Sequence, residues 1–245
     1  MNPTPRTFVV GLLALALAAP PTLAAKSATK PARVSATHNR KPGDTPVLEQ
    51  LGNRYAMSLA RHRPDLAERY GATPLSVRFV PLDEATLDGH VRELRQLLRT
   101  VDSLASSVRG DSLRVRLRRE LAECAPDGAL HRDAFVWLDI VDAAARAPFL
   151  LGAPNGCDRT RRAALQMRTL PEALRAAVVL MRGAPAPDPA ALESRLGQVE
   201  RSWRVDLPSR TEPCKEGRRR AEFAEADSLA AASLAQFRRW LSPGR

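Results

Sequence analysis

The sequence predicts an all-α protein, an irregular bundle of about seven helices behind a cleaved signal peptide and a disordered linker. Three observations carry this reading. Apolar residues recur at spacings of three and four along most of the chain, the signature of a helix with one buried face. Proline and glycine fall between these stripes and not within them, with few exceptions. Of the alternating stretches, Leu75 to Phe79 is bracketed by Pro74 and Pro81 and reads as a connector, and Leu113 to Arg118 would be a strand without a partner anywhere in the chain.

The N-terminus reads as an export signal. Arg6 supplies the basic start, Phe8 to Ala19 is an apolar run of 12 residues, and Thr22-Leu23-Ala24 offers small residues at a cleavage site after Ala24. A membrane span needs about 20 apolar residues, and Pro20-Pro21 closes this run early. The residues that follow, 25–45, carry Lys26, Lys30, Arg33, Arg40 and Lys41 against Asp44 alone, with almost nothing apolar to bury. That composition predicts a basic, disordered linker. Residues 46–245 then form one helical domain, long enough to bury a core.

Within the domain the elements follow in order. Leu48, Leu51, Tyr55 and Leu59 line a helix from about Pro46 to His62, stopped by Pro64. Asp65 to Tyr70 makes a helical turn ending at Gly71, and Thr73 to Leu82 is an extended connector. Asp83 caps the next helix, whose stripe is Leu87, Val91, Leu94, Leu98, Val101 and Leu104. Leu113, Leu117, Leu121 and Cys124 mark another helix, and Leu130 to Phe149, apolar almost all round, marks the buried central one. Asp158 to Met181 is helical with a kink or split at Pro171, and Ala190 to Trp203 and Glu216 to Leu241 complete the set.

A net charge of +11 invites a nucleic-acid reading, but only four of the 38 basic residues are Lys, and the arginines are scattered. Aromatic residues make up 4% of the chain, too few to provide stacking platforms for bases. No nucleic-acid partner is expected. Weak contact with an anionic envelope surface through the linker is expected instead, together with a protein or peptide partner, in a periplasmic or extracellular location without a transmembrane helix.

No stretch gathers a catalytic or metal-binding set, and no cofactor is expected. Of the four histidines, His38, His62, His90 and His131, none is followed by Glu and a second His at metal-binding spacing. His90 beside Arg92 and Glu93 reads as solvated surface, while His62 and His131 flank helix ends. His131 with Asp133 lacks a third ligand. Asp139 and Asp142 share a helix face, but Asp142 with Arg146 reads as an i,i+4 pair and Asp139 as the partner of a neighbouring Arg. Arg218, Arg219 and Arg220 read as a salt-bridged face with Glu216, Glu222 and Glu225, and Trp203 and Trp240 as core edges. With up-and-down helices, Cys157 and Cys214 fall at one end of the bundle and Cys124 at the other. Cys157–Cys214 is then the preferred disulfide, contributing about 4 kcal/mol by loop closure; free thiols throughout are the alternative.

The order of segments resembles a known family. Arg61 to Gly71 reads RHRPDLAERYG and is similar to the opening motif of the domain of unknown function 885 family, exported or lipid-anchored bacterial proteins that look like zinc peptidases. Leu82 to Leu104 (LDEATLDGHVRELRQLLRTVDSL) and Leu113 to Cys124 resemble that family's next two helices. Arg132 to Leu151 resembles the helix with its Asp-Pro-Leu-x-Tyr pattern, although Ala134 and Phe135 replace Pro and Leu. Met167, Arg168, Pro171 and Leu174 match its Arg-Leu-x-x-x-Pro-x-x-Leu helix, and Phe237 to Leu241 (FRRWL) looks like the close of its N-terminal half.

The resemblance implies that the family's zinc-binding His-Glu motif lies in a second half that this chain does not contain. The leading expectation is therefore a non-catalytic exported helical domain with a structural or peptide-binding role. The alternatives are a fragment of a metallopeptidase whose catalytic half is encoded beyond this chain, and a basic envelope-associated adaptor.

Overall fold

The computed structural model describes residues 44–71, 78–150 and 156–242. The expected signal peptide, His38, nearly all of the linker and half of the Thr73–Leu82 connector lie outside the described residues. What is described is an all-α bundle, with no strand among the described residues.

Its first half is α1 (Asp44–His62), α2 (Pro64–Arg69), α3 (Glu84–Asp102) and α4 (Val108–Glu123). Its second half is α5 (Ala129–Arg132), α6 (Ala134–Leu150), α7 (Gly156–Met167), α8 (Leu170–Leu180), α9 (Pro189–Arg201), a π-helical turn (Ser202–Asp206), α10 (Leu207–Thr211) and α11 (Gly217–Leu241). More segments form than the expected seven because short polar breaks divide them. Asp133 adopts extended backbone and accepts a hydrogen bond from Phe135 N at 2.8 Å, which separates α5 from α6. Pro171 sits in the first turn of α8, where it lacks no hydrogen bond, so the Asp158–Met181 stretch is split there.

The starts of the helices follow local chemistry. Asp83 Oδ1 accepts from Thr86 N at 2.7 Å, Asp188 Oδ1 from Ala191 N at 2.7 Å, and Ser107 Oγ from Gly110 N at 3.1 Å. Gly71 closes α2 at φ 63°, a left-handed conformation that glycine adopts without steric penalty. Gly128 answers a different need. A Cβ there would lie 2.2 Å from the Ala122 carbonyl oxygen, so only glycine lets the chain cross the end of α4.

The α6 helix is central. It packs on α2, α7, α8 and α9, with Trp137, Leu138, Ile140, Val141 and Ala145 buried. The α11 helix lies against α7 and α8, and α3 against α4 and α1. No helix among the described residues is long and apolar enough to cross a membrane.

Candidate functional site

Polar residues converge in the interior between α1, α2, α3 and α4. On α1, Tyr55, Ser58 and His62 continue the spacing of its apolar stripe. On α4, Glu120 and Cys124 stand one turn apart on the face that buries Leu117. His90 joins them from α3. Its ring is 2% exposed, which overturns the expectation of a solvated histidine. The buried face of α3 is Leu87, His90, Leu94, Leu97 and Val101, so His90 and Leu97 point inward, with Val91 and Leu98 only half-buried beside them.

His90 Nε2 lies 2.7 Å from Glu120 Oε1, and Nδ1 lies 3.2 Å from Ser58 Oγ. The Ser58 hydroxyl in turn donates to Glu93 Oε2 at 2.8 Å. Glu93 thus holds the hydroxyl proton on the side away from the ring. The ring sits between two carboxylates, Glu120 directly and Glu93 through Ser58.

Neighbouring groups extend the network. His62, with its ring centroid 5.0 Å from that of His90 and its Nδ1 3.2 Å from Val80 O, is pushed down to about 4 by burial and then by repulsion from His90. Arg63, 1% exposed, forks onto Asp65 at 3.0 and 2.9 Å and reaches Glu123 at 2.8 Å. Burial alone would lower its pKa, but Asp65, Glu123 and Glu120 outweigh it and the guanidinium is held more firmly charged than usual.

Burial, then the Glu120 carboxylate, raises the Tyr55 phenol well above its ordinary pKa. Tyr55 Oη and Glu120 Oε2 are both buried, and the carboxylate raises the phenol chiefly by its charge. The Cys124 thiol is pushed up to about 12 by burial and by Glu120, which makes it a poor nucleophile.

Ser58, His90 and Glu120 have the make-up of a nucleophile, a base and an orienting acid, but not the arrangement. In such a relay the serine gives its proton to the histidine and faces a substrate. Here Ser58 gives it to Glu93 and is 3% exposed. The set is tied up in its own hydrogen bonds.

The other residues singled out from the sequence are dispersed. His131 Nδ1 lies 3.2 Å from Leu180 O, and Asp133 caps α6, so the two serve separate structural ends. Arg195 binds Asp139 at 2.8 Å and Asp142 at 3.4 Å, and Arg146 binds Asp142 at 3.3 Å and Glu68 at 2.7 Å. Arg218 and Arg219 pair with Glu222, and Arg219 also with Glu216. Trp203 is fully buried, deeper than a core edge, whereas Trp240 is half-buried and stacked on Phe237. The structure joins Cys157 to Cys214 in a disulfide, with their Cα atoms 4.5 Å apart, and leaves Cys124 free and buried. Among the described residues no group of three or more His, Cys, Asp or Glu side chains is placed to hold a metal ion.

Two openings reach the surface near the polar interior. A groove of about 800 Å³ runs between α3, the α4–α5 turn and the end of α8. On its α3 wall Glu84, Asp88, Arg92 and Arg95 are exposed and form no ion pairs among the described residues, while Leu87 and Val91 lie between them. A smaller cleft of about 250 Å³ opens between α1, the end of α2 and α4. No family model, curated protein or solved structure matches the chain.

Proposed function

We propose that this protein is an exported, non-catalytic helical domain that holds a peptide or protein partner in the groove along α3. The observation that carries the reading is the unpaired charge on that wall. Glu84 and Asp88 stand at one end and Arg92 and Arg95 at the other, on one helix face and beside apolar residues. At 1.5 Å per residue the strip is about 16 Å long, the reach of an extended segment of about five residues. An extended peptide with a basic end, an apolar middle and an acidic end complements it.

The internal use of the Ser58 proton supports a non-catalytic role, because the set most like a reaction centre is consumed in its own hydrogen bonds. The Cys157–Cys214 disulfide supports export to an oxidising compartment. The order and spacing of the motifs from Arg61 to Leu241 support kinship with the N-terminal half of the domain of unknown function 885 family.

The test is binding of a synthetic peptide with two lysines, two leucines and two aspartates in that order, measured beside a scrambled peptide of the same composition. The ordered peptide should bind more tightly, and Arg92→Glu with Arg95→Glu should remove the difference. Equal binding of both peptides to the unaltered protein sinks the groove assignment. Metal-dependent hydrolysis of any peptide by a clean preparation sinks the non-catalytic reading.

A further inference from the structure

Gly52 lies in the interior of α1, where a Cβ would meet nothing within 4 Å. A glycine there weakens the helix relative to alanine, and no close approach of neighbouring atoms requires it. The space it leaves open belongs to the smaller cleft, on a different part of the surface from the α3 groove. Leu48 and Leu59 are buried along its wall and supply an aliphatic lining. Two arginines, Arg109 and Arg116, stand among the lining residues, and both are exposed.

The two differ in what occupies them. Arg109 is paired with Glu49 at 3.1 Å. Arg116 has no ion pair among the described residues, and its guanidinium lies 4.3 Å from the centroid of the Tyr70 ring. A guanidinium held over a ring face keeps its in-plane N–H donors available. It is a fork fixed in place for a planar anion, at the side of an apolar space. At about 250 Å³ the cleft falls below the roughly 300–1,000 Å³ of sites for drug-sized ligands, so its occupant is small.

We propose that this cleft binds a short aliphatic carboxylate, its head on Arg116 and its chain in the space beside Gly52. Unlike the peptide-binding role, this does not depend on the α3 groove, so either can fail alone.

Hexanoate, hexylammonium and hexanol are the probes, titrated into the full chain by calorimetry. Hexanoate should bind at least about ten-fold more tightly than hexylammonium. Arg116→Gln should weaken hexanoate about ten-fold and leave hexanol unchanged. Gly52→Leu fills the cleft and should abolish binding of both, while its thermal unfolding shows that it remains folded. Gly52→Ala, which no neighbour opposes, should weaken both partially and serves if the leucine variant does not fold. No hexanoate binding to the unaltered chain, equal affinity for hexanoate and hexylammonium, or unchanged hexanoate affinity in the Arg116 or Gly52 variants would each overturn the proposal.

Discussion

Around Ser58, His90 and Glu120 the bundle buries a cluster of polar side chains; around α6 it buries mainly carbon, beside the Asp142 carboxylate that Arg146 and Arg195 hold. In the first half, Arg63 with its two carboxylates and His90 with Glu120 occupy positions that apolar side chains fill elsewhere. In the second half, Ala143, Ala144 and Ala145 on α6, Ala163 on α7, Ala173 and Ala177 on α8, and Ala226 and Ala230 on α11 are all buried. Small residues let helix axes approach closely, and that closeness is held by dispersion and exclusion of water. The contrast teaches where each half is vulnerable. A polar interior loses most when one member is removed and its partner remains charged. An apolar interior loses in proportion to the volume vacated.

The sharpest way to break the comparison is Arg63→Met. It leaves Asp65 and Glu123 without their buried counter-charge, and an expected loss of about 3–5 kcal/mol should appear in urea unfolding. A loss under about 1 kcal/mol would mean that the first half is not held together by its charges. In the second half, reducing the Cys157–Cys214 bridge or replacing both residues with serine should remove about 2–4 kcal/mol, read from the thermal midpoint.

Acid should act on the first half through His62. Its pKa is lowered from 6.5 to about 4, so the folded state holds fewer protons than the unfolded one between these values. Stability is therefore complete above pH 6.5 and falls as pH drops toward 4, by at most about 3 kcal/mol from this group. His62→Asn, which can still donate to Val80 O, should flatten that part of the profile relative to the unaltered protein. The smallest effect sharpens the picture from outside the core. Gly89 in α3 has no neighbour nearer to an added Cβ than Arg92 Nη2 at 3.9 Å, so Gly89→Ala should raise stability by about 1 kcal/mol in urea unfolding.

The second half was the more legible in sequence, for a physical reason. A helix that is apolar all round, like Leu130 to Phe149, has only one place to go, and its burial follows from composition alone. The Arg195–Asp139 bridge likewise meets a need visible in the sequence, an acidic side chain on the central helix that requires a cation. The polar interior was not legible. Hydropathy sorts histidine and glutamate outward, so the apolar pattern places the α3 stripe on Val91 and Leu98, whereas the buried face runs through His90 and Leu97. The missing signal was register. Ser58 and His62 stand in phase with Tyr55, and Glu120 in phase with Leu117 and Cys124. A polar residue that keeps step with an apolar stripe calls for a partner on another helix, here 30 positions away in sequence. Single-helix periodicity carries no information about that distance.

The buried thiol of Cys124 has a consequence for how the chain matures. Three cysteines allow three pairings, and exchange among them requires an accessible thiolate to attack the bond. With its thiol pushed up to about 12 and its side chain buried at the wall of the α3 groove, Cys124 is a slow partner in that exchange once the first half has closed. Closure of the polar interior therefore favours the Cys157–Cys214 isomer for an oxidant to complete.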